Sequence, residues 1–326
     1  MGYGNAGLLY GLTLVIGLLV FATVVAYLFN QKWPSAESVN TLRRIRTWWV
    51  IAVCFFAALW LGPLGLTILF ALVSILSLAE FVQLDADFEN KKSMKIMLGM
   101  GAVIHYAIVY FEGGLILILL AGVMVVTSVF FISHFTISRV NGYFEPIFNA
   151  AATTQIVFQQ AASKYVSTIL AYLLLVVGLS CVVEIALLEM NAMVTGHTMT
   201  IVFLLVLLTA INDIAQYLWG KRFGNKKVCP KISPNKTWSG LVGGVATTVI
   251  LTTVLFSGML SIALSTSITI GFLIGVGGFL GDIIISLYKR RVGAKDSGTL
   301  LPGHGGLLDR VDSLCLTAPL LYLYIT

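Results

Sequence analysis

Charge is what this sequence has least of. Only 10% of its 326 residues are Asp, Glu, Lys or Arg, and 58% are hydrophobic, at a mean hydropathy of +0.96. A soluble domain carries about 25% charged residues, so an aqueous globular fold is excluded. Cysteine is sparse as well: Cys54, Cys181 and Cys315 lie in apolar segments and Cys229 in a basic loop, without CxxC spacing. That excludes a disulfide framework or a metal-type cysteine cluster and reads them as packing residues. Neither GxxxxGK[ST] nor a dinucleotide GxGxxG occurs, so any nucleotide is held in some other way. No internal repeat or low-complexity tract is present. The first apolar run, 7–29, lacks a basic n-region and a small-residue cleavage site and exceeds the ~7–15 residue core of a secretory signal. It is therefore expected to remain as a membrane helix.

What the sequence does have is apolar runs close to the length that crosses a ~30 Å hydrocarbon core. They predict an all-α, polytopic integral membrane bundle of about ten transmembrane helices, at 7–29, 47–62, 64–82, 96–112, 114–133, 166–188, 198–219, 239–256, 267–285 and 311–325. The second is short and also fits a re-entrant segment. Gly62-Pro63 and Glu112-Gly113-Gly114 supply tight turns, and Trp33, Trp48, Trp49, Trp219 and Trp238 fall near span boundaries, where amphipathic rings are favoured. Residues 134–165 form one long connection that fits either an interfacial helix or an ordered loop. We divide the chain into an N-terminal membrane region with this segment, 1–165, and a C-terminal catalytic region, 166–326.

The basic residues test the span assignment. All 20 Lys and Arg fall in the odd-numbered connections, from Lys32 and Arg43–Arg46 in the first to Lys289–Arg310 in the ninth, and none falls in an even-numbered one or at a terminus. By the positive-inside rule the odd connections are cytoplasmic and both termini face out. A bacterial inner (cytoplasmic) membrane protein with its chemistry facing the cytoplasm is the corresponding location.

Against this apolar background, Asp213, Asp282 and Asp312 each stand at the cytoplasmic end of a predicted helix among apolar residues. An acid within a span costs ~2.5–3.5 kcal/mol at the centre and less near the end, so it needs a partner or a task. A structural ion pair explains any one of them; three on one face, with Asp309 beside them, call for more. Asp282 and Ser286 are i,i+4, with Lys289 next on the same face, and Asp309 and Asp312 are i,i+3 at the start of the last helix. Carboxylates from two helices are a donor set for a hard cation, since Mg2+ takes one or two protein carboxylates together with substrate phosphates. Between them runs Pro302-Gly303-His304-Gly305-Gly306, whose glycines let backbone N–H groups turn toward an anion. Such a loop is common in plain turns, but Lys289, Arg290, Lys295 and Arg310 surround this one. His304 fits a phosphate donor and a loop-ordering residue equally. In the seventh connection, six cations interleave with Gly220, Gly224, Pro230, Pro234, Ser233 and Thr237, a fuller phosphate-binding set than membrane anchoring requires.

At these residues the sequence resembles a known family. Ser286-x-x-Lys289-Arg290-x4-Lys295-Asp296-x-Gly298, followed by Pro302-Gly303-His304-Gly305-Gly306-x-x-Asp309-Arg310-x-Asp312, is similar to the signature of phosphatidate cytidylyltransferases. Asp213-x3-Tyr217-x2-Gly220-Lys221-x-Phe223-Gly224 and Ser233-Pro234-x-Lys236-Thr237-Trp238-x-Gly240 resemble that family's second region, and Glu80-Phe81 resembles a pair that its members often have. The resemblance covers about residues 200–320 strongly, and Gln216 departs from the family's usual Ala. It implies transfer of a cytidylyl group from CTP to phosphatidate, giving CDP-diacylglycerol and pyrophosphate. The implied cofactor is Mg2+, with a second cation such as K+ allowed for; membrane lipids and a homodimer partner are expected, and nucleic acid is not.

We assign Asp282 and Asp309 as metal ligands and catalytic residues, with Lys289, Arg290, Ser286 and Asp312. Lys295, Asp296, Gly303, His304, Gly305, Gly306, Arg310, Asp213, Tyr217, Lys221, Ser233, Lys236 and Thr237 are expected to bind substrate. No residue is assigned as an obligatory general base, because a phosphate monoester is already a nucleophile near pH 7. Two other readings share some features. A CTP-dependent polyprenol or phytol kinase would lack so complete a C-terminal signature, and a transporter would show paired broken helices in two repeats.

The charge asymmetry generates a topological test. A cysteine introduced in the 189–197 connection is expected to react with an impermeant thiol reagent in intact cells, whereas native Cys229 reacts only after permeabilisation. Labelling of Cys229 in intact cells overturns the orientation.

Overall fold

A computed structural model describes residues 4–85, 90–111, 166–188 and 197–326. Helices dominate because a chain in hydrocarbon must satisfy every backbone N–H and C=O within its own segment. α1 (Gly4–Lys32) ends at Trp33-Pro34, and α2 (Ala36–Trp60) restarts on a reciprocal cap: Ser38 N donates to Ser35 Oγ at 3.1 Å and Ser35 N to Ser38 Oγ at 2.9 Å. Gly62, at φ 69°, and Pro63 turn the chain directly into α3 (Gly62–Leu84), as the sequence predicted. α4 (Lys91–Phe111) follows. α5 (Val166–Leu187) contains a π-helical turn, Leu173–Gly178. α6 (Thr198–Phe223) then leads into a two-stranded antiparallel hairpin of β1 (Lys227–Cys229) and β2 (Ser233–Thr237), an addition to the all-helical expectation. Thr237 closes the hairpin and caps α7 (Trp238–Leu260), its Oγ1 accepting from Gly240 N at 3.1 Å. α8 (Leu264–Arg291), the short α9 (Leu308–Val311) and α10 (Leu314–Ile325) complete the chain.

Seven of the described helices are long and apolar enough to cross a bilayer: α1, α3, α4, α5, α6, α7 and α8. They match seven of the predicted spans. Two other spans fall on helices of a different kind. α2 carries Glu37, Arg43, Arg44 and Arg46 in its first half, so only residues 47–60 are free of charge, a rise of roughly 21 Å at 1.5 Å per residue. α10 has 12 residues, which makes it about 18 Å long. Predicted span 114–133 and the long connection 134–165 lie outside the described residues.

The core forms where α5, buried almost throughout, is wrapped by α3, α4, α6 and α10, and where α6, α7 and α8 pack side by side. In a membrane the hydrophobic effect does not drive helices together, so close backbone approach over small residues matters more. α8 supplies that with Gly271, Gly275, Gly277, Gly278 and Gly281; a Cβ at Gly281 would collide with the Asp312 carbonyl at the entrance to α10. The ends of α3, α6 and α8, the start of α10 and the charged half of α2 thus converge at one end of the bundle. Three of the basic connections touch there: Arg44 bonds Gly303 O, Arg290 bonds Ile232 O, and Arg291 bonds Ser167 Oγ.

Because the Asp312 carbonyl belongs to the backbone, it has no rotamer with which to give way. Gly281→Ala is therefore expected to lower stability by about 1–3 kcal/mol, whereas Gly258→Ala, with open space around it, leaves stability unchanged or slightly higher. Thermal unfolding of the purified protein in detergent compares the two, and equal midpoints would show that α8 and α10 separate freely.

Candidate active site

At the convergent end, four carboxylates are interleaved with lysines and hydroxyls. Lys236 Nζ, at the end of β2, lies 2.8 Å from Asp282 Oδ2 on α8 and donates to Gln216 Oε1 on α6 at 3.0 Å. Ser286 Oγ, one turn along α8, donates to the other Asp282 oxygen at 3.0 Å. The i,i+4 relation read from the sequence is thus a hydrogen bond. Lys289 turns away from that pair to Asp309 Oδ1 on α9, at 2.6 Å, and both side chains are only 9% exposed. Asp309 Oδ2 accepts from Ser297 N at 2.9 Å. Asp213 and Asp312 meet through one residue: Ser313 Oγ donates to Asp213 Oδ1 at 2.9 Å and Ser313 N to Asp312 Oδ1 at 2.8 Å.

Two of the acids are thus matched by ammonium groups, and Asp213 and Asp312 are held by hydrogen bonds. Their charges act on one another, since Asp312 is within Coulombic reach of Asp282, Asp213 and Lys289. Burial alone would lower the Lys236 pKa, but Asp282, with Asp213 and Asp312 behind it, holds it above the ordinary lysine value. Lys236 is therefore a fixed positive charge. Among the described residues, no group of three His, Cys, Asp or Glu side chains is arranged to enclose a metal ion by itself. Any hard cation here would need to complete its shell with substrate oxygens or water.

The glycine segment is a compact turn. Leu301 N donates to Gly305 O at 2.9 Å and Gly305 N to Leu301 O at 3.1 Å, with Gly303 and Gly305 at φ 78° and 85°. Those are left-handed conformations that suit glycine. His304 is buried, and its pKa is lowered by burial first and then by the neighbouring Arg310 and Arg44 guanidiniums. The ring is therefore neutral at pH 7. Arg290 is spent on backbone, Nε to Ile232 O and Nη1 to Ala294 O, both at 3.0 Å, so it ties the hairpin to the end of α8.

Other predicted residues lie further out. Tyr217 is 63% exposed, with Lys221 Nζ 5.8 Å from its ring centroid, and neither bonds to the carboxylates. Lys295 and Asp296 are exposed beside the turn. Ser233 begins β2, and Thr237 serves as a helix cap.

Sequence reasoning undervalued Glu80. It sits in the last turn of α3, and its carboxylate accepts from Ser297 Oγ at 3.1 Å, Leu307 N at 3.0 Å and Leu308 N at 2.9 Å. It crowds Gly298 and Gly306 so closely that a Cβ at either would meet its side chain. A lone acid at the end of an apolar helix was the signal. Gln216, visible only as a departure from the family pattern, is the acceptor that helps aim Lys236, and its Nε2 reaches Gly275 O at 3.5 Å.

A family model described as the cytidylyltransferase family matches residues 42–326. An uncharacterized protein of Escherichia coli (strain K12), YnbB, is 36% identical over 320 residues, covering 96% of this chain and 97% of its own. A phosphatidate cytidylyltransferase of Brucella suis is 45% identical over 131 residues, 38% of this chain and 46% of that protein, and one of Bacillus subtilis is 39% identical over 127 residues, 39% and 47%. The chain therefore aligns with about half the length of these two enzymes.

The Glu80 contacts generate a prediction independent of any reaction. Glu80→Ala leaves two part-buried backbone N–H groups and a hydroxyl without their acceptor, at a cost of about 1–3 kcal/mol. Amide hydrogen exchange at Leu307 and Leu308 is expected to accelerate, together with a lower unfolding temperature. Unchanged protection at both amides would remove Glu80 from this role.

Proposed function

Since the chain belongs to the cytidylyltransferase family, we propose that it transfers the cytidylyl group of CTP to phosphatidate, forming CDP-diacylglycerol and pyrophosphate. The observation that carries this reading is the cluster of Asp213, Asp282, Asp309 and Asp312 with Lys236 and Lys289, beside a glycine turn at one end of an apolar bundle. A lipid phosphate can enter such a site from the bilayer while a nucleotide enters from water. The charge pattern of the connections supports a cytoplasmic position for this end.

In the reaction, an oxygen of the phosphatidate phosphate forms a bond to the α-phosphorus of CTP as the bond to the β-phosphate bridging oxygen breaks. The electron pair leaves with pyrophosphate. Two anions must be brought together, so the residues act chiefly by positioning and by neutralising charge. Lys236 and Lys289 are ammonium donors fixed by carboxylates, and Arg310 and Lys295 present further cations around the turn. Ser286 orients Asp282, while Ser297 and Lys289 orient Asp309. The acids hold basic groups in place and accept no proton from the nucleophile.

Asp282 and Asp309 would hold Mg2+, with Asp213 and Asp312 adding negative charge. The fit is chemical: hard carboxylate oxygens whose attraction for cations is marked by ammonium groups at 2.8 and 2.6 Å. When bound, the ion supplies charge neutralisation for the nucleotide phosphates.

The test is CDP-diacylglycerol formation by the purified protein in detergent. Asp282→Asn and Asp309→Asn are expected to abolish turnover at saturating Mg2+ in folded protein; near-normal activity removes that residue from the metal site. Lys289→Gln and Arg310→Gln are expected to lower kcat/KM by about 10- to 150-fold, the value of a charge-assisted contact made in the transition state. Arg43→Gln, which neutralises a cation outside the site, leaves the rate almost unchanged. Equal small effects at all three basic positions refute the phosphate-binding reading.

A further inference from the structure

α2 brings to the glycine turn a set of groups that the mechanism above does not use. Asn40, Arg44, Thr47 and Trp48 recur at i, i+4, i+7 and i+8 and share one helix face. From that face Arg44 Nε donates to Gly303 O at 2.9 Å, Thr47 Oγ1 donates to Pro302 O at 2.8 Å, and the Trp48 ring meets His304 edge-on at 5.8 Å. The fit is close enough that a Cβ at Gly303 would lie 3.1 Å from Arg44 Cγ.

With Nε committed to the carbonyl, the guanidinium plane is fixed while its two terminal nitrogens form no hydrogen bond or ion pair among the described residues. Arg310 is in the same condition: it is exposed, and its side chain pairs with no described acid. Both charges bear on the buried His304, which lies between them in effect and is neutral for that reason as well as by burial. Lys236 and Lys289 have carboxylate partners; these two arginines pair with no acid among the described residues. A guanidinium oriented by a backbone carbonyl beside left-handed glycines, with its terminal nitrogens unpaired, suits a bidentate oxyanion.

We propose that Arg44, with Arg310 and the Gly303–Gly306 turn, forms a phosphate subsite in which Arg44 contacts a phosphoryl group of a substrate directly. The proposal rests on the cytidylyltransfer reading for the identity of that substrate, and on geometry alone for the anion. Phosphate oxygens are offered by the nucleotide and by the lipid headgroup, and the two are separated by experiment.

Binding is measured without turnover on the full chain in detergent, with inorganic pyrophosphate and short-chain phosphatidate as separate probes, for wild type, Arg44→Gln and Arg43→Gln. Arg44→Gln is expected to weaken at least one probe by about 10- to 150-fold at unchanged thermal stability, with Arg43→Gln within about twofold for both. Loss for pyrophosphate assigns the subsite to the nucleotide; loss for phosphatidate assigns it to the headgroup. Equal binding of both probes to Arg44→Gln and wild type overturns the proposal. So does a loss accompanied by a lower unfolding temperature, which would reduce Arg44 to a support for Gly303. The underlying reading fails separately: if wild type makes no CDP-diacylglycerol but binds pyrophosphate through Arg44, the subsite stands and the reaction does not.

Discussion

One linked series of contacts holds the polar end of this protein together: Glu80 to Ser297, Ser297 to Asp309, and Asp309 to Lys289. It joins the end of α3 to the end of α8 through the intervening loop. A buried ammonium–carboxylate pair is costly to desolvate and is tolerated when the remaining donors and acceptors are satisfied. Here Asp309 uses both oxygens, and the loop that carries Ser297 is itself clasped by Glu80. Removing any member leaves a charge or an N–H group without its partner inside a region that water reaches poorly. The site depends on this arrangement more than on the packing of the apolar helices, which tolerate similar side chains interchangeably.

The second pair, Lys236 with Asp282, works differently. Its lysine comes from a strand, and its carboxylate is also held by Ser286 and lies near two further acids. The two lysines are thus fixed by different carboxylates on different elements. A reaction that joins two anions benefits from charges whose positions are set in advance, because reorienting them during turnover would cost energy.

Much of this was legible in the sequence. Apolar length revealed the membrane helices, and the family is borne out by the match over residues 42–326. Spacing gave the Asp282–Ser286 contact, because i,i+4 neighbours on a helix meet whatever surrounds them. The pairing of each lysine was not legible: Lys289 was placed only on the same helix face as Asp282 and Ser286 and is bound to Asp309, since α9 approaches it from a loop whose path no periodicity encodes. The Glu80 contact spans 217 residues or more, and no local pattern announces such a distance. Arg44 was read as part of a basic connection, because charge near a span end has a sufficient topological explanation, and Thr47 only as the first residue of a predicted span. Their contacts with Gly303 and Pro302 emerge only when helix and turn are placed together. The hairpin escaped notice because its five-residue second strand contains Pro234 and carries no apolar alternation.

That hairpin is the only described part of the polar end built from strands. Two strands alone are marginally stable in water, so β1 and β2 owe their order to their attachments: the Thr237 cap, Arg290 on Ile232, and Lys236 on Asp282. The last of these uses an oxygen of the carboxylate proposed to hold a cation. Occupancy of Asp282 and folding of the hairpin are therefore thermodynamically linked, in the sense that whatever competes with the ammonium for that oxygen also draws on the hairpin's own free energy of ordering.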